Sequence, residues 1–372
     1  MVDVTCNGLG GKPIVLGSAM DFKKKHGAWQ GRSKTDLAAA VAQVMKQKGA
    51  SVSGTVTTLC VSPTNGSRLP CDALDVRQSI IGDAQCKDGW TAPASAKCKN
   101  SGLLLGDDNL FLESLLTSVT VGDEDLVREV ISGAQAPRVE KVWATGDNVY
   151  VSGLDMSWSN FHIGDLLVTP GAVVVNTGYP HSACWKYATR AGDDPKDYIN
   201  GKEGNALRVR GIKGAFLWPS ASASATIRAN EAMRIVRKGT PEYKSLMQSC
   251  LPPLEGGTEL AFNFGGHNLR ASATDTQAYV DLLVFAGTEA NKLDYIKYKR
   301  DLPNIVLQEL GLIPKGMEIS ADAKSGDGSL ENVGIKINGM FSCPECRQRF
   351  DNERAQKLHW QFIHDPKRKQ ED

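Results

Sequence analysis

What the chain lacks narrows its class before any motif is read. No run of about eighteen apolar residues occurs, so no membrane-spanning helix is expected. Neither sign of charge dominates: 43 basic and 42 acidic side chains leave a net charge of +1 over 372 residues. That balance excludes a protein whose whole surface coats a polyanion, and it leaves room only for a local basic segment. The opening stretch, Met1–Gly17, has no basic segment followed by an apolar core and is not rich in arginine. Neither secretion nor mitochondrial import is expected from it. Cysteine is sparse and odd in number, nine in all, which reads as reduced thiols in the cytoplasm or nucleus. There is no flavin or dinucleotide fingerprint, no iron–sulfur cysteine run and no internal repeat. Gly256-Gly257 and Gly265-Gly266 mark turns and lack the spacing of a phosphate loop.

What is present is enough apolar sequence, 41% of residues, to bury real cores. Residues 1–51 form an N-terminal extension with one helix, in which Leu37, Val41 and Val44 share a face beside Ala40. Thr35 is the expected N-cap and Gly49 the stop. From 52 to 236 short β-branched runs alternate with Gly, Asp and Asn turns, among them Gly54–Val61, Leu166–Val168 and Ala172–Thr177. This spacing predicts a mainly β domain, a barrel or folded sheet, with helices inserted at Leu110–Leu116 and Glu124–Val130. Residues 240–317 read as a separate α-rich region, helical over Thr276–Phe285 and Glu289–Leu310. Pro303 either breaks that second helix or starts a new one. Residues 318–338 have linker composition, and 339–372 form a small module with a basic end.

In that last module Cys343, Cys346, His359 and His364 stand in the spacing C-x2-C-x12-H-x4-H, with Phe341 and Phe350 placed for a miniature core. Zinc asks for four soft or borderline donors in a tetrahedron, two thiolates from a knuckle and two imidazoles from one helix face. So short a segment cannot bury enough apolar surface alone, and the metal supplies the folding energy. The segment resembles a Cys2His2 zinc finger over residues 339–365, which implies a ββα fold. The positions that read bases in DNA-binding fingers hold Asn352, Ala355 and Leu358, and Gln356 replaces the usual core leucine. Two of the three cannot hydrogen-bond a base edge. Contact with protein, or non-specific contact with nucleic acid, fits better than sequence-specific DNA binding. Lys367-Arg-Lys369 is either a solvated terminal cluster or a phosphate contact.

Within the β domain, Ala172–Asn176 is a strand-like run and Gly178 and Pro180 a turn, which puts the Cys184 thiol at a strand end near a cleft. His181 lies three residues before it and Lys186 two after, and a cationic neighbour favours the thiolate. Arg208-Val-Arg210-Gly-Ile-Lys213 alternates charge with apolar residues, as a strand with Arg208 and Arg210 on one face would. Such a face either cradles an anion or is the wet side of an antiparallel strand. His162 and His181 are acid–base candidates, or a capping and a surface histidine.

Several separated pieces fall in one order: Val56–Cys71 running to Ile80-Ile-Gly-Asp83, then Gly146–Asp155, Ile163-Gly-Asp165 and Thr177–Lys186. Together they resemble a MOSC domain, the β-rich module related to the C-terminal part of molybdenum cofactor sulfurases, nearest the bacterial subgroup that reduces N-hydroxylated bases. The resemblance implies a MOSC-type β-barrel followed by the α-rich region and the finger. It also implies a molybdenum cofactor (molybdopterin) bound by Cys184, Lys186, Arg208 and Arg210, with Cys184 and His181 catalytic, a small-molecule substrate, and electrons from a partner protein. The chain departs from the family pattern at Ala84-Gln85, Ala183-Cys184, Gly211–Phe216 and Ala229-Asn230. Three functions are thus expected in order: a molybdenum-dependent reductase of N-hydroxylated small molecules or bases, a non-enzymatic adaptor on a degenerate MOSC domain, and a persulfide carrier.

Overall fold

A computed structural model of the chain describes residues 14–15, 32–61, 67–75, 104–105, 110–111, 115–116, 118–132, 145–179, 181–183, 187–188, 191–219, 226–251, 259–264, 267–272, 275–293, 295–319, 341–345, 349–350 and 353–364. At its centre is a closed barrel of seven strands. They are β1 (Ser53–Val61), β2 (Val119–Asp123), β3 (Val149–Ser152), β4 (Leu166–Val168), β5 (Val173–Val175), β6 (Ile212–Pro219) and β7 (Ala232–Val236). The ring runs β1-β7-β4-β5-β6-β2-β3 and returns to β1. All neighbours are antiparallel except β2 and β3, which pair parallel with Val121 opposite Val149. A parallel pair needs a crossover, and helix α2 (Glu124–Ser132) supplies part of it.

The barrel closes because β1 is nine residues long and pairs along both edges, with β7 and with β3. Its register against β3 shifts between Val56 and Thr58, a bulge of the kind that bends a strand sharply enough to close a ring. The interior is filled by β-branched and aliphatic side chains that are fully or almost fully buried, among them Val56, Leu59, Val121, Val151, Leu167 and Val174. This is the mainly β domain expected over 52–236.

Helix α1 (Lys34–Lys48) lies outside the ring, with Leu37 and Val41 buried and Val44 half-buried. Its N-cap is Ser33, whose hydroxyl accepts from the Asp36 amide; the expected cap, Thr35, sits one residue inside the helix. Gly49 ends it as expected, with φ of 59°. The helix packs on α2 and on α3 (Asp193–Asn200), sharing a core with Ala183, Tyr187, Tyr198 and Val209. Its far end is fastened by Lys48, whose ammonium is 3% exposed and reaches Asp123 at 2.6 Å and Asp125 at 3.0 Å.

Three expectations need correction. Leu110–Phe111 is a strand paired with Leu104–Leu105, and among the described residues of the expected helix Leu115–Leu116 are helical. The strand wins because Leu110 and Phe111 join a small sheet with the hairpin β8 (Glu259–Phe264) and β9 (His267–Ser272). That hairpin is the second correction, since the region from 240 is not purely helical. After α4 (Lys202–Ala206) come α5 (Pro241–Ser249), α6 (Thr276–Lys292) and α7 (Tyr295–Glu309). Third, this region is not separate: Tyr279, Val280, Leu283 and Ala286 of α6 belong to the same core as the barrel. A Cβ on Gly287 would overlap the carbonyl of Thr177, so α6 lies directly on the chain leaving β5. Pro303 falls inside α7, and the helix break comes before it at Leu293. Of the linker expected at 318–338, the start is packed, with Ile319 buried and bonded through its backbone to the Asn304 side chain, and 320–338 lie outside the described residues.

Lys48→Met leaves two carboxylates facing a buried apolar site, and the expected loss is about 3 kcal/mol at pH 7.5 by urea unfolding. Burial pushes Asp123 up to about 6, against the pull of Lys48. A raised value means its contribution is full below the unfolded value near 4 and is lost as pH rises through about 6. The cost of removing Lys48 is therefore expected to shrink at pH 5; an equal cost at both pH values would contradict the role given to Asp123.

Candidate functional site

Four segments meet at one end of the barrel: the turn before β3, the chain after β5, α3 with α4, and the turn before β6. The turn before β6 ends at Gly211, whose φ is 89° and where a Cβ would overlap the carbonyl oxygen of Val121. Glycine is needed there to bring residues 208–210 against β2. This overturns the strand expected at Arg208–Arg210; the strand begins at Ile212. Arg208 and Arg210 lie on a turn, Arg208 itself at φ of 49°, and they point to different places.

Arg208 faces inward and is 7% exposed. Its guanidinium donates to the carbonyls of Met156 and Phe161 at 3.1 and 2.9 Å and lies 3.7 Å over the ring of Trp158. Burial lowers its pKa, opposed by Asp165 and Asp155, and a guanidinium remains charged at neutral pH. It clamps the 156–161 turn through Nη1 while also lining the cleft described below.

Arg210 goes the other way. It donates to the carbonyl of Ser182, lies 4.9 Å over the ring of Tyr187 and comes within 3.8 Å of Asp147. Asp147, with a fully buried side chain, also meets His181 Nε2 at 3.2 Å from its Oδ1. The backbone N–H of Asp147 donates to the Tyr150 hydroxyl at 3.0 Å, and that hydroxyl is 2.7 Å from Thr145 Oγ1. Burial, with the charge of Asp147 behind it, holds the Tyr150 hydroxyl well above its usual range, so it remains a proton donor. His181 has a side chain 2% exposed. Burial first, then the positive charge of Arg210, lowers its pKa to about 4 against the pull of Asp147. The imidazole is neutral at pH 7.

His181 and Arg210 line a cleft with Trp158, Tyr179, Asn205 and Asn291, and its free space of about 30 Å³ suits one small polar group. Lys213, on β6, lies 5.1 Å over the Tyr179 ring. Ala183, the chain neighbour of Cys184, is held through both its N–H and its carbonyl by the Asn200 side chain at 2.8 Å. Cys184 and Lys186 themselves lie outside the described residues. His162 does not join the cluster: its side chain is 61% exposed and rests 3.5 Å from Asp165. Asp165 is occupied by Arg237 at 3.0 Å and by the amides of His162 and Lys238, which makes that corner structural.

His181, Arg208 and Arg210 all line the cleft, as expected from the sequence, although the two arginines stand on a turn and not on one strand face; Asp147, Tyr150 and Tyr187 were missed as site residues. Asp147 did stand inside a quoted motif, in the Gly146-Asp147 turn, but nothing local marks an aspartate that will be buried against a histidine from another strand.

The tail is a separate candidate site. Phe341–Ser342 (β10) pairs with Arg349–Phe350 (β11), followed by α8 (Glu353–Ile363), the ββα order expected. Cys343, His359 and His364 bring one ligand atom each within 4.8 Å of one another. Phe350 is buried and its ring lies 4.9 Å from that of His359. His364 Nε2 is buried without a hydrogen-bond partner among the described residues, as a ligand nitrogen reserved for a metal would be. Burial and the neighbouring His364 lower the pKa of His359, which favours the neutral, metal-binding imidazole. Cys346 lies outside the described residues. The donor set fits zinc. Leu358, at a base-reading position, is 43% exposed.

No family model, no curated protein and no solved structure matches the chain.

Arg208→Lys loses the stacking on Trp158 and leaves one of two buried carbonyls unmet. The expected cost is about 2 kcal/mol in chemical unfolding. Anion affinity measured with inorganic phosphate stays at the wild-type value; a drop there would show that Arg208, which lines the cleft, also serves an anion.

Proposed function

We propose that this chain is a MOSC-type barrel protein, a molybdenum-dependent reductase of N-hydroxylated small molecules or bases, with a zinc finger at its C-terminal end. The observation that carries the reading is that His181 and Arg210 line one small cleft with Asp147 against both of them, His181 standing three residues along the chain from Cys184. In this reading Cys184 holds the molybdenum through its soft thiolate, Lys186 stands near it in sequence, and Arg210 meets the cofactor's anionic end. The described residues fit that anionic end only, since about 30 Å³ does not admit a pterin ring. When bound, the group supplies a two-electron reduction in which the hydroxyl oxygen leaves as water with two protons. The electrons come from a partner protein. His181, neutral and buried, is placed to hold or pass a proton, and Asp147 and Arg210 set its environment.

A second reading, an adaptor on a barrel that has lost its cofactor, is favoured by one specific finding: Arg208, though it lines the cleft, already gives one guanidinium nitrogen to the carbonyls of Met156 and Phe161. In that case Leu358 on the finger helix is the natural protein contact.

Elemental analysis separates the two. Protein made in a host that synthesises molybdenum cofactor is expected to carry about one zinc per chain, in the wild type and in Cys184→Ser alike, and to lose it in His359→Ala. Molybdenum present in the wild type and absent from Cys184→Ser supports the reductase. Molybdenum absent from both sinks that reading and leaves the adaptor.

A further inference from the structure

The cleft is nearly shut. His181 has a side chain 2% exposed, and the free space beside it is about 30 Å³, too little for more than one small polar group. A larger molecule reaches His181 only if a wall moves, and the walls are not fastened alike. The β6 wall is pinned at Gly211, where a Cβ would overlap the Val121 carbonyl. The chain after β5 is pinned twice, by Gly178 against Ile163 and by Gly287 of α6 against the Thr177 carbonyl. Arg208 ties Trp158 to the carbonyls of Met156 and Phe161.

Among the described residues, α3 and the segment before it make the remaining wall. Ile199 lines the cleft and Tyr187 carries the Arg210 guanidinium on its ring, and both belong to a small core separate from that of the barrel. Asn200, at the end of α3, holds the Ala183 backbone into the same core. Leu37 and Val41 of α1 close this core from outside.

The grip of α1 on the rest is slight and mostly at its ends. Leu37 and Val41 are its two fully buried apolar side chains. Ahead of the helix Arg32 reaches Glu129 at 2.6 Å and Ser132 at 3.1 Å; Lys34 meets Asp197 at 3.4 Å, and Lys48 meets Asp123 and Asp125. In these pairs every cation belongs to the α1 segment and every anion to α2, α3 or β2. Gly49 follows the helix at φ of 59°, with open space where a Cβ would stand, and Ala50 after it is exposed. The chain is fastened again at Ser51, whose carbonyl accepts from the Asp155 amide and the Asn160 side chain. Gly49 and Ala50 thus form a hinge between a lightly held helix and the barrel.

We propose that α1 is a strap over the cleft wall. Docked, it presses α3 into place and keeps His181 covered; swung out about Gly49, it frees α3 and opens the cleft. A detached helix of fifteen residues is marginal in water, so release is a local opening that leaves the barrel folded. The device does not depend on whether the cleft holds molybdenum.

Hydrogen exchange of the full chain at pH 7, read by mass spectrometry of its peptides, tests this. Residues 34–48 and 193–200 are expected to open together, with clearly less protection than β4 and β5. Leu37→Ala should speed exchange in both helices about thirtyfold and leave β4 and β5 at the wild-type rate. Diethyl pyrocarbonate, which labels accessible imidazoles, should then modify His181 faster by a similar factor, with the exposed His162 as the internal standard. Arg32→Gln removes only the outer clasp and should act in the same direction about threefold, which keeps the answer available if Leu37→Ala does not fold. Protection of α1 equal to that of β4 and β5 overturns the strap. So does an α1 that opens faster in either variant while His181 labelling stays at the wild-type rate.

Discussion

Strand β1 bears the sheet. It is the one strand that joins the last strand of the barrel, β7, to the parallel pair β2–β3, and without its two-sided pairing the sheet would be an open ribbon with exposed edges. The bulge at Val56–Thr58 lets it turn from one neighbour to the other. Thr57 lies inside that irregularity, and its hydroxyl bonds to Glu124 and to the carbonyl of Tyr150, so the bend is tied to the start of α2 and to β3. Tyr150 in turn orders Asp147. The curvature of the barrel and the geometry of the cleft are thus adjacent links of one hydrogen-bonded chain.

Burial governs the chemistry of the cluster. In water an aspartate beside a histidine raises the proton affinity of the ring; here desolvation and Arg210 outweigh it, and the ring is neutral. Arg210 has a carbonyl, an aromatic face and a carboxylate around it. The aromatic face belongs to Tyr187, which is packed from behind by the core shared with α1. The N-terminal helix therefore shapes the cleft without touching it, through Leu37 and Val41 at one remove.

Much of this was legible in the sequence where the signal is local. The repeated β-branched runs announced the β domain, and the Leu37, Val41, Val44 spacing announced α1 and its buried face. The Cys-x2-Cys and His-x4-His spacing announced the ββα tail. Failures came where a distant partner decides. Leu110–Phe111 has no alternation to betray a strand, and it becomes one by pairing within a sheet that includes residues from 259 to 272. Arg208-Val-Arg210 alternates like a strand, but Gly211 must turn tightly against β2, and that forces the preceding residues out of extended geometry. Asp147 was invisible as a site residue because its meaning comes from His181 and Arg210, both far away along the chain.

The closure of the ring also fixes a timetable. Thr55 pairs with Ala232, so nearly the whole barrel must be synthesised before the ring can close. Until then a nascent chain carries the start of β1, Ser53–Thr55, with the edge meant for β7 unpaired, while Leu59–Val61 pair early with Leu69–Cys71; an open edge is a surface prone to pairing with other chains. Contacts so remote in sequence make for slow folding. On the ribosome, β1 is thus the part of this protein with the longest wait and the greatest need of shelter, while α1, emerging just ahead of it, waits equally long for the α3 surface it covers.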